Sequence, residues 1–247
     1  MKKLLYILLF TTQIFFAQNG FEKGNAYYEK GKYEEAVTAY ESVLKDNKYS
    51  SELYFNLGNA YYKLNKVAPS IYNYEKALVL NPNDSECINN LKFAQKRTID
   101  EIKMVPKVGF GKLVRDFTGI YHYNTWAWIS VGLATSFLLF FLGYYFSETT
   151  VLKRIFFFGM FVLVFLILIS ISSAIFEKSH FDTEKPAIVF AEIADVKSEP
   201  RNGGQAIFVL HEGTKVYVEE IIGKWKKVQL TDGTEGWIDS SAIKEVK

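Results

Sequence analysis

The chain has 247 residues, room for one or two domains. Lys and Arg number 29 against 27 Asp and Glu; the resulting +2 gives no basis for nucleic-acid binding, and a composition 49% apolar and 17% aromatic excludes a disordered chain. One cysteine, Cys87, excludes an intramolecular disulfide and a cysteine-rich zinc module, while three scattered histidines (122, 180 and 211) offer no metal cluster, catalytic relay or cofactor site.

In chain order, Lys2 and Lys3 precede an apolar run that ends at Ala17. A short basic region followed by about 14 apolar residues reads as a secretory signal over residues 1–17, cleaved after Ala17. Phe15 stands where a small residue is usual. No cysteine follows the run, so the pattern is not that of a lipoprotein.

The next segment repeats at a period of 34. GNAYY occupies residues 24–28 and again 58–62; Phe21, Lys32, Tyr40, Glu41, Leu44 and Asn47 recur as Phe55, Lys66, Tyr74, Glu75, Leu78 and Asn81. Leu57, Gly58 and Tyr61, three and four apart, give a first helix one packing face. Gly24 and Gly58 admit a second helix bearing the small Ala36, and Tyr40 and Tyr74 fill the space between. Pro69 suits a first helical turn and Pro82 stops a helix. The pattern resembles the tetratricopeptide repeat, a helix–turn–helix unit of this length. Repeats are expected over residues 17–50 and 51–84, with a capping helix over 84–103, together filling residues 18–104. Ser70, Lys48 and Lys23 depart from the pattern. Two and a half repeats lie near the lower limit of stability, which calls on neighbouring segments for support.

Such arrays bind peptides on a concave face. By resemblance, the fifth, ninth and twelfth positions of each repeat point into it: Phe21, Asn25 and Tyr28, then Phe55, Asn59 and Tyr62. The tyrosines are equally open to a packing role. Some relatives clamp a terminal carboxylate with Lys, Asn, Asn, Lys and Arg. Asn25 and Asn56 fit that set, but Phe21, Glu86 and Asn90 replace its basic members, so a mixed aromatic and amide groove is expected instead.

Residues 105–124 read as a membrane-proximal linker. Between Asp116 and Glu148 there is no charged residue, and none over residues 155–176. A membrane crossing needs about 20 residues, so both runs suffice. Spans are expected over residues 125–147 and 155–176, joined by a cytoplasmic loop at 148–154. Trp126, Trp128, Tyr144 and Tyr145 sit at the two ends of the first span, the depths aromatics favour. No charge lies inside either span, so the hairpin reads as an anchor, not an ion path. Ser170, Ser172, Ser173 and Ala174 are read as polar decoration near a helix end in preference to a helix contact. The signal places both flanking segments outside the cytoplasm, with Lys153 and Arg154 inside. Lys107, Lys112 and Arg115, on the outer side, run against the charge rule.

After a linker at 177–185, the pattern changes to period two over residues 186–247: 187–191, 206–210, 215–218, 225–228 and 236–238 read as short strands, with turns at Gly203-Gly204 and Asp232-Gly233. Pro200, Leu210, Gly213, Gly223-Lys224-Trp225 and Gly236-Trp237-Ile238 resemble a bacterial SH3-like barrel. That resemblance implies a small closed barrel with Trp225 and Trp237 as a candidate binding face for wall peptides or protein segments. His211 and Glu212 read as surface loop residues. The expected fold class is thus a multidomain membrane protein: an all-α tetratricopeptide superhelix, a two-helix transmembrane hairpin and a small all-β SH3-like barrel.

Nothing points to catalysis. Cys87 is far in sequence from every histidine and reads as a small buried side chain, and no phosphate-binding glycine loop is present. The order of modules resembles the BatE family of the Bacteroides aerotolerance operon, encoded beside membrane proteins with von Willebrand factor A domains. The resemblance implies a non-enzymatic inner-membrane scaffold with both soluble domains periplasmic, protein or peptide partners that include such membrane proteins, and a role in aerotolerance or envelope stress. A peptidoglycan-binding receptor is the alternative, and a cytoplasm-facing adaptor a third.

Overall fold

The structure, a computed structural model, describes residues 20–102 and 109–247. The expected signal sequence with its cleavage point, and Lys107, lie outside the described residues. The chain forms two compact units: one joins the helices up to residue 102 with Lys185–Lys247, and the other holds the residues between.

The first unit opens with helix α1 (residues 20–29), followed by α2 (Tyr33–Lys45), α3 (Ser51–Lys63), α4 (Val67–Leu80) and α5 (Ser85–Gln95). Ser50 caps α3 by accepting from the Leu53 amide, and Asp84 caps α5 by accepting from Glu86 and Cys87. Each satisfies an amide that the first turn leaves unpaired. The turns inside the two repeats are equivalent: Gly31 and Asn65, 34 apart, both adopt positive φ, which glycine and asparagine tolerate best. Ser70, a departure from the pattern, is fully buried and donates to the Gly58 carbonyl at 2.9 Å.

Seven strands follow: β1 (Pro186–Val189), β2 (Ile193–Lys197), β3 (Ala206–His211), β4 (Lys215–Ile222), β5 (Trp225–Gln229), β6 (Glu235–Asp239) and β7 (Ile243–Glu245). They form one antiparallel sheet in the order β3-β2-β6-β5-β4-β1-β7. β3 and β7 are its edges, so the closed barrel expected from the sequence is an open sheet, consistent with an SH3-like domain. The reason lies in β1, buried at all four positions. Ala187 and Val189 face the sheet core, whereas Ile188 joins Ile71, Tyr74, Cys87, Leu91 and Val246 in the core beneath α4 and α5. Helices thus cover the outer face of β1, while the sheet-core residues pack against one another on its inner face.

The sheet and the helical array are therefore one body. Phe190 meets the Tyr72 ring edge-on at 5.5 Å, Lys215 pairs with Glu75 at 2.7 Å, and Ile102 packs on the sheet core. Asp100 is the polar centre of the contact. Its carboxylate accepts from the His211 amide at 2.7 Å, from Thr214 Oγ1 at 2.6 Å and from His211 Nδ1 at 2.7 Å. His211 is thus a docking residue and not a free loop side chain. The capping helix ends at Gln95, short of the expected residue 103, because the chain beyond it runs out to deliver Asp100 and Ile102 to the sheet.

The second unit comprises α6 (Phe110–Thr118), α7 (Tyr123–Phe146) and α8 (Thr150–Thr183). α7 and α8 are each long and apolar enough to cross a membrane. At 1.5 Å per residue the 34 residues of α8 extend about 50 Å, well beyond a hydrocarbon core of about 30 Å. Helix consequently occupies much of both expected linkers and shortens the turn between the spans to residues 147–149. The helices approach at Gly143, against the Phe156 ring, and at Gly159, against Phe140. Ser170 is 1% exposed; it donates to the Trp126 carbonyl and accepts from Ser130, each at 2.8 Å. It makes a helix contact, which corrects its reading as surface decoration.

Asp100 also sets a pH dependence. Burial raises its pKa, but the bonds from Thr214 and His211 outweigh this and leave it below the ordinary 3.8. A depressed carboxylate contributes stability that is complete above the unfolded pKa and is lost as pH falls through the folded one. The urea midpoint of the full chain should therefore fall as pH drops from about 5 to about 3, and Asp100→Asn should flatten that slope and cost about 1–3 kcal/mol at neutral pH. Equal slopes in both proteins would remove Asp100 from this role.

Candidate peptide-binding groove

The first helix of each repeat carries the candidate residues, and the structure ties them into two equivalent networks. Tyr40 donates its hydroxyl to Asn25 Oδ1 at 2.7 Å, and Asn56 Nδ2 donates to the same oxygen at 3.0 Å. One repeat on, Tyr74 donates to Asn59 Oδ1 at 2.6 Å and Asn90 Nδ2 at 2.9 Å. All three members recur at a spacing of 34. Burial pushes the Tyr40 hydroxyl up to about 12, with smaller contributions from Tyr28, Glu29 and Glu52, and burial also raises Tyr74. Both hydroxyls stay protonated and donate to the asparagine oxygens, each of which also accepts from a second amide. Among the described residues nothing takes the Nδ2 donors of Asn25 and Asn59. Both asparagines are partly exposed.

Two glycines make this geometry reachable. A Cβ on Gly24 would lie 2.3 Å from the Tyr40 ring, and one on Gly58 2.7 Å from that of Tyr74. Phe21 leans on Tyr40 at 5.9 Å and Phe55 on Tyr74 at 6.0 Å, both tilted by 46°. The two phenylalanines thus back the tyrosines. Tyr28 stacks edge-on with Tyr33 at 5.3 Å, and Tyr62 lies 3.8 Å beneath the Arg97 guanidinium. Arg97, anchored on the Tyr62 carbonyl and Asn65 Oδ1, was not singled out in the sequence, because no repeat partner marks it.

Of the candidate sheet face, Trp225 is 7% exposed, with Lys197 and Lys224 ammonium groups 5.1 and 5.2 Å from its ring. It is a packing residue. Trp237 is half-buried, paired across the strands with Lys197 and Lys227. Cys87 is fully buried, and burial, helped by Asp84, Glu75 and Glu86, pushes its thiol up to about 12. It has no thiolate character at neutral pH. Among the described residues no three His, Cys, Asp or Glu side chains group to hold a metal.

This geometry is that of a tetratricopeptide-repeat module, the class of helical repeat that engages other proteins. Residues 24–65 match the family described as TPR repeat and residues 51–84 the family described as tetratricopeptide repeat. No curated protein matches the chain.

Gly58→Ala should destabilise the protein. The buried Tyr74 ring cannot yield, so overpacking of about 1–3 kcal/mol outweighs a helix-propensity gain of about 1 kcal/mol. Thermal unfolding by circular dichroism should show a lower midpoint, with Gly203→Ala, whose Cβ would meet nothing within 4 Å, unchanged.

Proposed function

We propose that the protein is a non-enzymatic scaffold of the bacterial inner membrane whose helical array and sheet face the periplasm and gather protein partners there. The observation that carries this reading is the pair of oriented amides, Asn25 and Asn59, one repeat apart with their donors unused. Carbonyl groups of an extended peptide are the natural acceptors for such donors. The order of modules is similar to that of the BatE family. On that likeness the partners are membrane proteins with von Willebrand factor A domains, and the role is aerotolerance or envelope stress.

Packing of residues 20–102 with Lys185–Lys247 puts both ends of the hairpin on one side, whichever that is, and the distribution of ion pairs supports the orientation. Of the cations that run against the charge rule, Arg115 pairs with Glu184 at 2.9 Å, and Lys112 keeps only an exposed pair with Asp116. Lys153 and Arg154 at the other end are in no ion pair among the described residues, as suits a cytoplasmic turn.

The buried Cys87 makes the protein a silent background for cysteine mapping. In intact spheroplasts a membrane-impermeant maleimide should label Lys48→Cys and Asn202→Cys, and should reach Glu148→Cys only after permeabilisation. The reverse pattern would place the array in the cytoplasm. For the groove, the double variant Asn25→Ala/Asn59→Ala should weaken association with a co-expressed von Willebrand factor A membrane protein by roughly thirtyfold, each lost bond contributing about 1 kcal/mol. Unchanged recovery would remove the groove from the contact.

A wall-binding role has the half-buried Trp237 as its aromatic contact. Sedimentation of the full chain with purified sacculi, reduced in Trp237→Ala, is the result that reading requires.

A further inference from the structure

Helix α6 lies in a stretch that reads as linker, yet it is strongly amphipathic. Phe110, Leu113, Val114 and Phe117 recur at helical spacing on one side, with Lys112, Arg115 and Asp116 on the other. Phe110 is 80% exposed and Leu113 67%. The helix is nonetheless fixed: Trp126 Nε1 donates to the Thr118 carbonyl at 2.7 Å, and the rings of Phe117 and Tyr121 pack 5.5 Å from that of Trp126.

Two adjoining grooves separate α6 from α8. One, of about 540 Å³, is apolar and lined by Leu113, Phe117, Leu168, Ile169 and Phe176 among others. The second, of about 660 Å³, shares Phe176 and is lined by Lys112, Arg115, Ser179, His180 and Thr183. Their order along α8 carries the argument. The apolar groove lies beside the uncharged run that ends at Phe176, and the polar one lies just beyond it. An occupant must therefore be apolar at the depth of the span and anionic or hydrogen-bonding where the span ends.

Two cations line the polar groove, and both are paired. Arg115 is shared with Glu184 and His180. Among the described residues Lys112 pairs with Asp116 alone, and both side chains of that pair are about half exposed, at 47% and 54%; such a pair is worth little and yields to a better anion.

We propose that the paired grooves form a binding site for one anionic phospholipid, its acyl chain along Leu113, Leu168 and Phe176 and its phosphate on Lys112 and the Ser179 hydroxyl. The site rests on the hairpin crossing a membrane and not on the scaffold reading. α6 then lies in the interface, where an amphipathic helix gains from apolar burial and from anionic lipid together.

The test is electron paramagnetic resonance of the full chain carrying Lys153→Gln and Arg154→Gln, which removes the cations at the opposite end of the hairpin. The protein is reconstituted in phosphatidylcholine vesicles doped with spin-labelled phosphatidylglycerol or phosphatidylcholine. The immobilised fraction should favour phosphatidylglycerol by about fivefold, the effect of one lysine at a membrane surface. Lys112→Glu should abolish that preference with helix content unchanged, and Leu113→Ala should lower the immobilised fraction of both lipids. Equal association of the two lipids with the Lys112 protein, or a preference that survives Lys112→Glu, overturns the proposal. So does a preference erased by inorganic phosphate, which would make this a site for a soluble anion.

Discussion

Burial of Ile188 and Val246 among the side chains of α4 and α5 is the contact on which the first unit depends. Two and a half repeats end in a helix with no further repeat to stack on it, and β1 carries an apolar residue, Ile188, on the side away from the sheet core. Each deficiency answers the other. Ile71 and Cys87 receive strand residues in place of a third repeat, and the outer side of β1 receives a helical layer. The polar contacts of Asp100 and Glu75 lie beside this apolar junction, where partial removal from water strengthens them and makes them specific for one docking arrangement. The repeats and the sheet thus form one compact unit where the sequence suggests two modules separated by a two-helix hairpin.

Much of this was legible in the residues. The period of 34, the glycine–tyrosine pairs and the two uncharged runs are local patterns, and local patterns survive in a sequence. So did most strands, whose alternation is read over four or five residues. The docking was not legible, because its partners are 111 and 140 residues apart and each looks ordinary alone. His211 reads as a loop histidine until Asp100 is seen beside it. β1 reads as any short apolar strand, although burial of Ile188 on its outer side is what distinguishes it.

The missed helices have a different cause. α8 continues past its apolar run because Glu177 and Lys178 are good helix formers, and an established helix propagates at little cost. α6 has only nine residues with glycine on both sides, so its periodicity is brief. In the repeats the matching positions were legible and their hydrogen bonds were not. Asn25 and Asn59 follow from repeat spacing, but the tyrosine hydroxyl that each accepts from lies on another helix. Phe21 and Phe55, by contrast, serve the tyrosines more than the groove.

The discontinuity of the first unit has a consequence for how the protein comes into being. The array is synthesised first, yet Ile71 and its neighbours acquire their strand partners only after the hairpin has been made and has brought the chain back. Closing so long a loop costs only slightly more entropy than closing a short one, about 0.6 kcal/mol per doubling. Until then the array exposes the apolar surface of α4. A chain that stops short of the strands leaves that surface uncovered, so the array is completed only by residues that lie beyond both long helices.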